Sequence, residues 1–379
     1  MSFADTEERQ QFADALRRWL RENYGFEHRR RVAAAASGVD AGDWQALAEL
    51  GAFSMIAPDW ADGFDGDSVD IGLIMESMGQ HLVLEPVLDT LIALDALKEA
   101  GSRHDDIRKL VRAIANGEAR VSCALLERNA RHDVAGGATR ATQAAGGWRL
   151  DGEKTLITHG ATANYFLLSA RQAGGAGEPM LFCVPADTEG LSTRVYPTLD
   201  GHRCADLCVQ NAFVPEQARL PNGAEALARC QELATAAICA EALGVMDALN
   251  TATFAYLKTR RQFGSPLASF QVLQHRCVDM HMAREEARVL TCAAILALRD
   301  KDAAGQAKAV SAAKVSVNRA LRYIGQNAVH LHGGIGLTDE LPVSHYFKRA
   351  TVIGRHFGDT DHHLSRFMRA TGASAAGQP

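Results

Sequence analysis

Three stretches of this 379-residue chain concentrate side chains that can do chemistry. The first, Arg355-His356-Phe357-Gly358-Asp359-Thr360-Asp361-His362-His363, gathers imidazoles and carboxylates, ligand types that suit several metals. The same composition at a helix start also reads as a cap, with Asp359 or Thr360 accepting from free backbone N–H groups, or as an active-site loop; no metal is expected. The second, YLKTRRQFGSPLASFQ from Tyr256 to Gln271, joins two helical stretches through a Gly-Ser-Pro turn. Its basic residues suit a helix C-terminus. Alternatively, Arg260 would pair with a phosphate while Phe263 and Gln271 contact a planar ligand. The third, HLHGGIG from His330 to Gly336, either ends a helix or lets bare backbone approach a pyrophosphate or sugar.

The periodicity of the chain says which elements must hold these stretches. From Asp5 to about Asn116 it is helical. Thr6 can cap a helix carrying Phe12, Leu16 and Leu20. Asp43 opens a second with Trp44, Leu47, Ala48 and Leu50, which Gly51 ends, and apolar helical stretches follow near 67–80 and 85–100. Between about Ala119 and Pro221 the runs VSCALL, GWRLDGEKTLITHG, YFLLSAR, PMLFCVP and DLCVQNAFVP are short and rich in β-branched and aromatic residues, separated by glycines and Asp-Gly turns. From about Gly223 three long alanine-rich helices are expected (223–259, 269–299 and 303–331), then shorter ones after Leu341 and after Asp361. The expected domains are therefore residues 1–117 (all-α), 118–221 (a β-sandwich or barrel) and 222–379 (a helical bundle). Helices and strands are segregated and no GxGxxG follows a strand, so neither a parallel Rossmann sheet nor its fingerprint is expected.

Composition narrows the class. Hydrophobic residues make up 47% and charged residues 22%, an ordinary globular mixture that excludes disordered and collagen-like chains. A net charge of −5 does not mark a nucleic-acid binder. The longest uncharged apolar stretch, about 155–170, is short and too polar to span a membrane, and the acidic MSFADTEERQ does not read as a signal peptide. The eight cysteines are scattered with no CxxC pair, so neither zinc nor a disulfide framework is expected. A cytoplasmic protein follows.

Taken together, RRQFGSPLASFQ, HLHGGIG and a final loop ending in Thr before the last helix resemble the flavin-dependent acyl-CoA dehydrogenase family. LDGEKTLITHGATANYFLLSAR is similar to that family's (I)NGxKxWITNGxxAxxxxxxAR. The resemblance covers nearly the whole chain. It implies an α+β multidomain fold with an N-terminal helical domain, a middle β domain and a C-terminal four-helix bundle. The implied cofactor is FAD and the implied substrate an acyl-CoA, with electron-transferring flavoprotein as electron acceptor. Leu156, Ile157 and Thr158 match the stretch that lines the flavin, and Leu126 opens the loop that contacts flavin and substrate. Arg260, Gln262, Phe263, Leu267, Phe270 and Gln271 match residues that reach the FAD of a neighbouring subunit. His330, Leu331, Gly333 and Gly334 match the segment on its ADP part, and Thr360 the residue beside its phosphates. A cofactor shared between subunits implies a homodimer or homotetramer.

This sequence departs from the family pattern at the chemistry. Leu156 stands where members usually carry Trp. The loop T-E-P-x-A-G-S-D is here Leu126-Glu127-Arg128-Asn129-Ala130-Arg131-His132-Asp133, with arginines for Pro and Gly; Arg128 and Arg131 hint at a nearby acidic group or are solvated. The usual base, the Glu of Y-E-G-T, is replaced by Gly358, although Gly358 keeps the N–H that polarises the thioester oxygen. The alternative position early in the first long C-terminal helix falls at Ala234 or Thr235. Asp359, next to Gly358, and Glu241, two helical turns after Ala234 among apolar neighbours, remain as candidate catalytic bases. For Glu241 a pairing with an Arg of a neighbouring helix is the plainer reading. GDTDHHL resembles small subunits of bacterial heteromeric acyl-CoA dehydrogenases, which act on dicarboxylyl or steroid side-chain CoA thioesters. There a larger homologous subunit of a heterotetramer brings the base. A CoA-thioester-binding subunit without independent activity, or a flavin oxygenase on the same fold, is the alternative.

Overall fold

The computed structural model describes residues 6–102, 104–174 and 177–372; Asp5, where the helical pattern was expected to begin, lies outside them. Six helices come first: α1 (Glu7–Asn23), α2 (Phe26–Ala34), α3 (Ala41–Glu49), α4 (Ser68–His81), α5 (Val87–Gly101) and α6 (Asp105–Ala115). Seven strands follow: β1 (Val121–Ala124), β2 (Arg140–Ala144), β3 (Gly147–Thr158), β4 (Tyr165–Gln172), β5 (Pro179–Pro185), β6 (Leu191–Pro197) and β7 (Arg203–Pro215). Then come α7 (Gly223–Thr259), a two-stranded hairpin of β8 (Arg261–Gln262) and β9 (Ser265–Pro266), α8 (Gln271–Ala297), α9 (Ala303–His332), α10 (Pro342–Ile353) and α11 (Thr360–Ala370). No helix among the described residues is long and apolar enough to cross a membrane.

The chain divides into two compact units. One comprises Arg30–Asp67 and Leu84–Ala234. Its seven strands form a single sheet in the order β1-β4-β2-β3-β7-β6, with β5 on the other edge of β4. Trp148, Leu150, Phe166, Phe182, Val184 and Val209 form the centre of its core. Asp200-Gly201 turns between β6 and β7, whereas Asp151-Gly152 lies inside β3, where the register to β7 shifts, and is no turn. β2 and β6 carry mostly exposed residues, which is why no apolar alternation announces them. Asp40, not Asp43, caps α3, accepting from Gly42 and Asp43 N–H groups, and the charged α2 has no apolar period to reveal it.

A buried ion pair sits at the centre of this unit. Lys154 Nζ on β3 donates to Glu127 Oε1 at 2.7 Å and to Ser169 Oγ at 2.9 Å, with Lys154 and Glu127 1% and 6% exposed. Glu127 also accepts from the N–H groups of Ala138 and Thr139. Burial alone would raise the Glu127 carboxyl; the Lys154 charge and hydrogen bond outweigh it and hold the group below its ordinary value.

The other unit comprises Met1–Arg29, Ser68–Val83 and Thr235–Pro379. Thr6 caps α1 as expected, accepting from Arg9 N–H. Helices α4 and α7 touch backbone to backbone: a Cβ on Gly79 would lie 2.0 Å from the Glu241 carbonyl oxygen, and one on Gly244 2.1 Å from that of Glu76. Only glycine allows that approach. The buried side chains at this crossing are charged and paired, Glu76 with Arg288 of α8 and Glu241 with Arg349 of α10.

Two outcomes follow for the β unit. Lys154→Ala leaves Glu127 buried without its counter-charge and is expected to destabilise the protein by roughly 3–5 kcal/mol in urea unfolding. Asp89, in the first turn of α5, is buried, which pushes its carboxyl up to about 7 despite the hydrogen bond from Cys123 N–H. Its folded form therefore keeps a proton that the unfolded chain releases from about pH 4 upward, so this group's stabilisation is lost as pH rises toward 7. Asp89→Asn should remove a fall in unfolding free energy of up to ~1.4 kcal/mol per pH unit across that window, read by urea titrations between pH 4.5 and 7.

Candidate active site

On the β unit, the register between β3 and β7 jumps from Lys154↔Leu207 to Ile157↔Ala205. Thr155 and Leu156 therefore oppose the single residue Asp206, a β-bulge. Leu156 has a φ of 55° and its side chain is 50% exposed. A left-handed non-glycine residue costs on the order of 1 kcal/mol and persists only where its surroundings over-determine it. Here they do. Thr155 N–H donates to Leu126 O at 2.9 Å, and Leu156 N–H to the Tyr196 hydroxyl at 3.2 Å. Asp206 accepts from Thr155 Oγ1 (2.6 Å), Tyr196 Oη (3.0 Å) and Arg194 Nη2 (2.7 Å), with Arg128 Nη2 at 3.4 Å. Burial opposes ionisation of Asp206, but these hydrogen bonds hold its carboxyl below the ordinary carboxylate range.

A cavity of about 600 Å³ opens between the loop after β1 and this part of the sheet. Arg128, Lys154 and Arg194 line it together with Glu127, Glu153 and Asp206. Its charges compensate one another. Arg128 and Arg131 are both exposed, and Arg128 Nη2 also lies 3.4 Å from Asp206 Oδ2 of the same unit.

Of the residues matched to the flavin, Leu156 is exposed and Thr158 half-buried, and the Thr158 hydroxyl makes no hydrogen bond among the described residues. Ile157 is fully buried in the sheet core, so only its main chain can face a ligand. Leu126 is half-buried and tied to the bulge by its carbonyl.

In the helical unit, the RRQFGSPLASFQ segment folds as the β8–β9 hairpin, a 3-10 turn at Leu267–Ser269 and the first residue of α8. Phe263 and Gly264 form its two-residue turn with φ values of 53° and 80°, the geometry of a type I′ connection. Phe263 is 91% exposed. Arg260, Gln262 and Gln271 are exposed beside it, with Leu267 and Phe270 half-buried. The end of α7 meets the end of α9 here: Tyr256 stacks on His332 at 4.4 Å, and Arg276 Nη1 lies 3.1 Å from His330 Nδ1. His330 is exposed and Leu331 half-buried. Beyond them Gly333 has a φ of 68°, and a Cβ built on Gly333 or Gly334 would meet nothing within 4 Å. The structure thus brings the hairpin set and the His330–Gly334 set to one end of the unit.

The loop between α10 and α11 is held from beneath. His363 is fully buried, and its Nε2–H donates to Phe357 O at 2.9 Å, leaving Nδ1 to accept from Ser311 Oγ at 3.4 Å. Lys314, also fully buried and pushed down to about 8 by that burial, donates to the last carbonyl of α10, Ile353 O, at 2.6 Å. Gly358 has a φ of 121°, and a Cβ there would stand 2.5 Å from His363 Nε2 and 2.7 Å from His362 Cδ2. Asp359 is the N-cap of α11, accepting from His362 N–H at 3.0 Å, and Thr360 is the first helical residue. Glu241 is held by Arg349 through two hydrogen bonds of 2.5 and 2.7 Å. Among the described residues no group of His, Cys, Asp and Glu could hold a metal ion. Lys154, Tyr196, Asp206, Lys314 and Arg349 were not singled out from the sequence; a polar residue inside an apolar run, as in KTLIT or AAKVSV, is the signal that could have found two of them.

These surfaces fit a flavin dinucleotide. Phe263 offers an aromatic face with nothing over it, Arg260 a guanidinium for a phosphate, and Gly333 and Gly334 bare backbone with open space above.

The family models for the acyl-CoA dehydrogenase N-terminal, middle and C-terminal domains match residues 6–118, 122–212 and 222–371. Acyl-CoA dehydrogenase FadE27 of Mycobacterium tuberculosis is 27% identical over 350 residues, covering 90% of this chain and 91% of that protein. A variant of the Tcur3481-Tcur3483 steroid ACAD is 29% identical with a TM-score of 0.90, covering 98% of this chain and 99% of that one. The ChsE4-ChsE5 complex from Mycobacterium tuberculosis shares the fold, at 24% identity and a TM-score of 0.89 over 99% of this chain and 100% of that one. With three family models matched along nearly its whole length, this chain belongs to the acyl-CoA dehydrogenase family.

Proposed function

We propose that this chain is the base-lacking, FAD-sharing subunit of a cytoplasmic heteromeric acyl-CoA dehydrogenase, which desaturates an acyl-CoA thioester between its α and β carbons. The observation that carries the reading is Gly358. The residue at that position has no side chain, its φ of 121° disfavours any other residue, and the His362 and His363 rings occupy the space a side chain would need. The two candidate carboxylates are engaged, Asp359 as a helix cap and Glu241 with Arg349. A larger homologous chain then supplies the group that takes the α-proton.

Bound FAD supplies the acceptor for the β-hydride, and electrons would pass on to an electron-transferring flavoprotein. The contribution of this chain is to hold and to polarise. Gly358 N–H makes only a long bond, 3.3 Å, to Arg355 O, one that a thioester oxygen gaining negative charge can displace. His363 holds the carbonyl of that same peptide from the buried side. Arg260, Gln262, Phe263, Leu267, Phe270 and Gln271 would reach the cofactor across a subunit contact, with Thr360 beside its phosphates. A surface for that contact exists on α8, where Val278, Met282, Val289 and Leu296 are 55%, 61%, 56% and 45% exposed. Met282, Val289 and Leu296 recur every seven residues, so they share one face, of the kind another chain's helix covers. The paired name Tcur3481-Tcur3483 and the ChsE4-ChsE5 complex support a two-chain assembly.

The chain purified alone is expected to be colourless or weakly yellow, and to gain stoichiometric flavin and acyl-CoA-dependent bleaching when co-expressed with a larger homologue. A yellow chain that acyl-CoA bleaches anaerobically on its own would overturn the proposal in favour of a homo-oligomeric dehydrogenase; bleaching by NAD(P)H with oxygen uptake would point to an oxygenase instead. Gly358→Glu should not confer bleaching on the isolated chain, and should lower its stability by roughly 1–3 kcal/mol through backbone strain and overpacking.

A further inference from the structure

We infer that Asp206 and Tyr196 are positioning residues that set how Leu156 is presented to the flavin; this rests on the flavin reading of the site. The argument begins with strand parity. Lys154 and Ile157 both point inward, yet they are three residues apart, which a regular strand of period two cannot satisfy. The extra residue of the bulge resolves this by placing both Thr155 and Leu156 outward opposite Asp206. The outward pair has lost its ladder partners, so its N–H groups need others. Leu126 O and the Tyr196 hydroxyl provide them.

Tyr196 cannot hold its post alone. Its hydroxyl accepts from Leu156 N–H and must send its own proton elsewhere, and Asp206 Oδ1 receives it. The same oxygen receives the Thr155 hydroxyl, so one carboxylate fixes both residues of the bulge, one directly and one through Tyr196. Arg194, directly across from Asp206 in the β6–β7 register, and Arg128 from the loop after β1 orient the second oxygen. The result is a hydrogen-bonded chain from the Leu126 loop through Asp206 and Tyr196 to the Leu156 amide. At the position where family members usually carry a large Trp, a small Leu held in a left-handed conformation relies on this chain for its direction.

The test uses amide hydrogen exchange and flavin binding on the full chain, alone or with its co-expressed companion. Tyr196→Phe removes one oxygen and should leave the urea midpoint nearly unchanged, while exchange at the Leu156 amide in the flavin-free protein speeds at least several-fold. The same variant should weaken FAD affinity several-fold and shift the bound flavin's absorption spectrum. Asp206→Ala should act the same way, and Asp206→Asn, which keeps an acceptor oxygen, should restore part of both effects. Unchanged exchange in Tyr196→Phe and Asp206→Ala would overturn the proposal. So would faster exchange with unaltered FAD affinity and spectrum, since the bulge would then be held without consequence for the cofactor. Absence of FAD from the parent protein in every preparation would remove the flavin reading and the presentation role with it. The exchange measurement, which needs no flavin, would still report whether the two residues hold the bulge.

Discussion

Two buried charges, Glu127 and Lys154, govern what the β unit can present. A buried carboxylate is tolerable only when every lone pair that has lost water finds a donor. Glu127 finds its donors in Lys154, Ala138 and Thr139. That requirement pins both ends of a loop with no regular structure of its own, and it forces Lys154 inward on β3. Once Lys154 is inward and Ile157 must also be in the core, the strand between them has to bulge. The exposed Leu156 is thus a consequence of the ion pair made by Lys154, two residues earlier on the same strand. An electrostatic demand in the interior becomes a shape on the surface.

The helical unit applies the same logic to different ends. Close contact of α4 and α7 through Gly79 and Gly244 leaves no room for large side chains at the crossing. The carboxylates of Glu76 and Glu241 instead reach outward from it to arginines on α8 and α10. Charged groups here tie helices together, and Lys314 does the same at the end of α10. The residues that remain exposed at the other end of the unit, Arg260, Phe263 and the Gly333–Gly334 backbone, are the ones without such a task.

Much of this could be read from the residues. The three long C-terminal helices, the cap at Thr6 and the segregation of helices from strands follow from periodicity and turn chemistry, and α7 ends where its basic turn and Gly-Ser-Pro place it. The motif stretches were legible because each is contiguous in sequence. What remained hidden is what long-range contact creates. Edge strand β6 has an exposure pattern with no alternation to detect, and nothing local marks Tyr196 or Asp206 as partners of a bulge forty and fifty residues upstream. His363 reads as one histidine among three until the fold buries it beneath Phe357. The Asp-Gly pair inside β3 shows the reverse error, a local turn signal overridden by pairing with a thirteen-residue neighbour.

Magnitudes separate the two candidate carboxylates. Freeing Asp359 to take a proton would forfeit a helix cap, worth about 1 kcal/mol. Freeing Glu241 would strand Arg349 in the interior, a loss of roughly 3–5 kcal/mol on top of any chemical barrier. Asp359 is therefore the easier group to release, yet its side chain is one methylene shorter than Glu and is directed to the His362 amide at the start of α11. Neither arrangement resembles a base poised for use: one is occupied by the helix it begins, the other by the helix it fastens. On the proposed reading, the group that takes the α-proton therefore has to come from another chain.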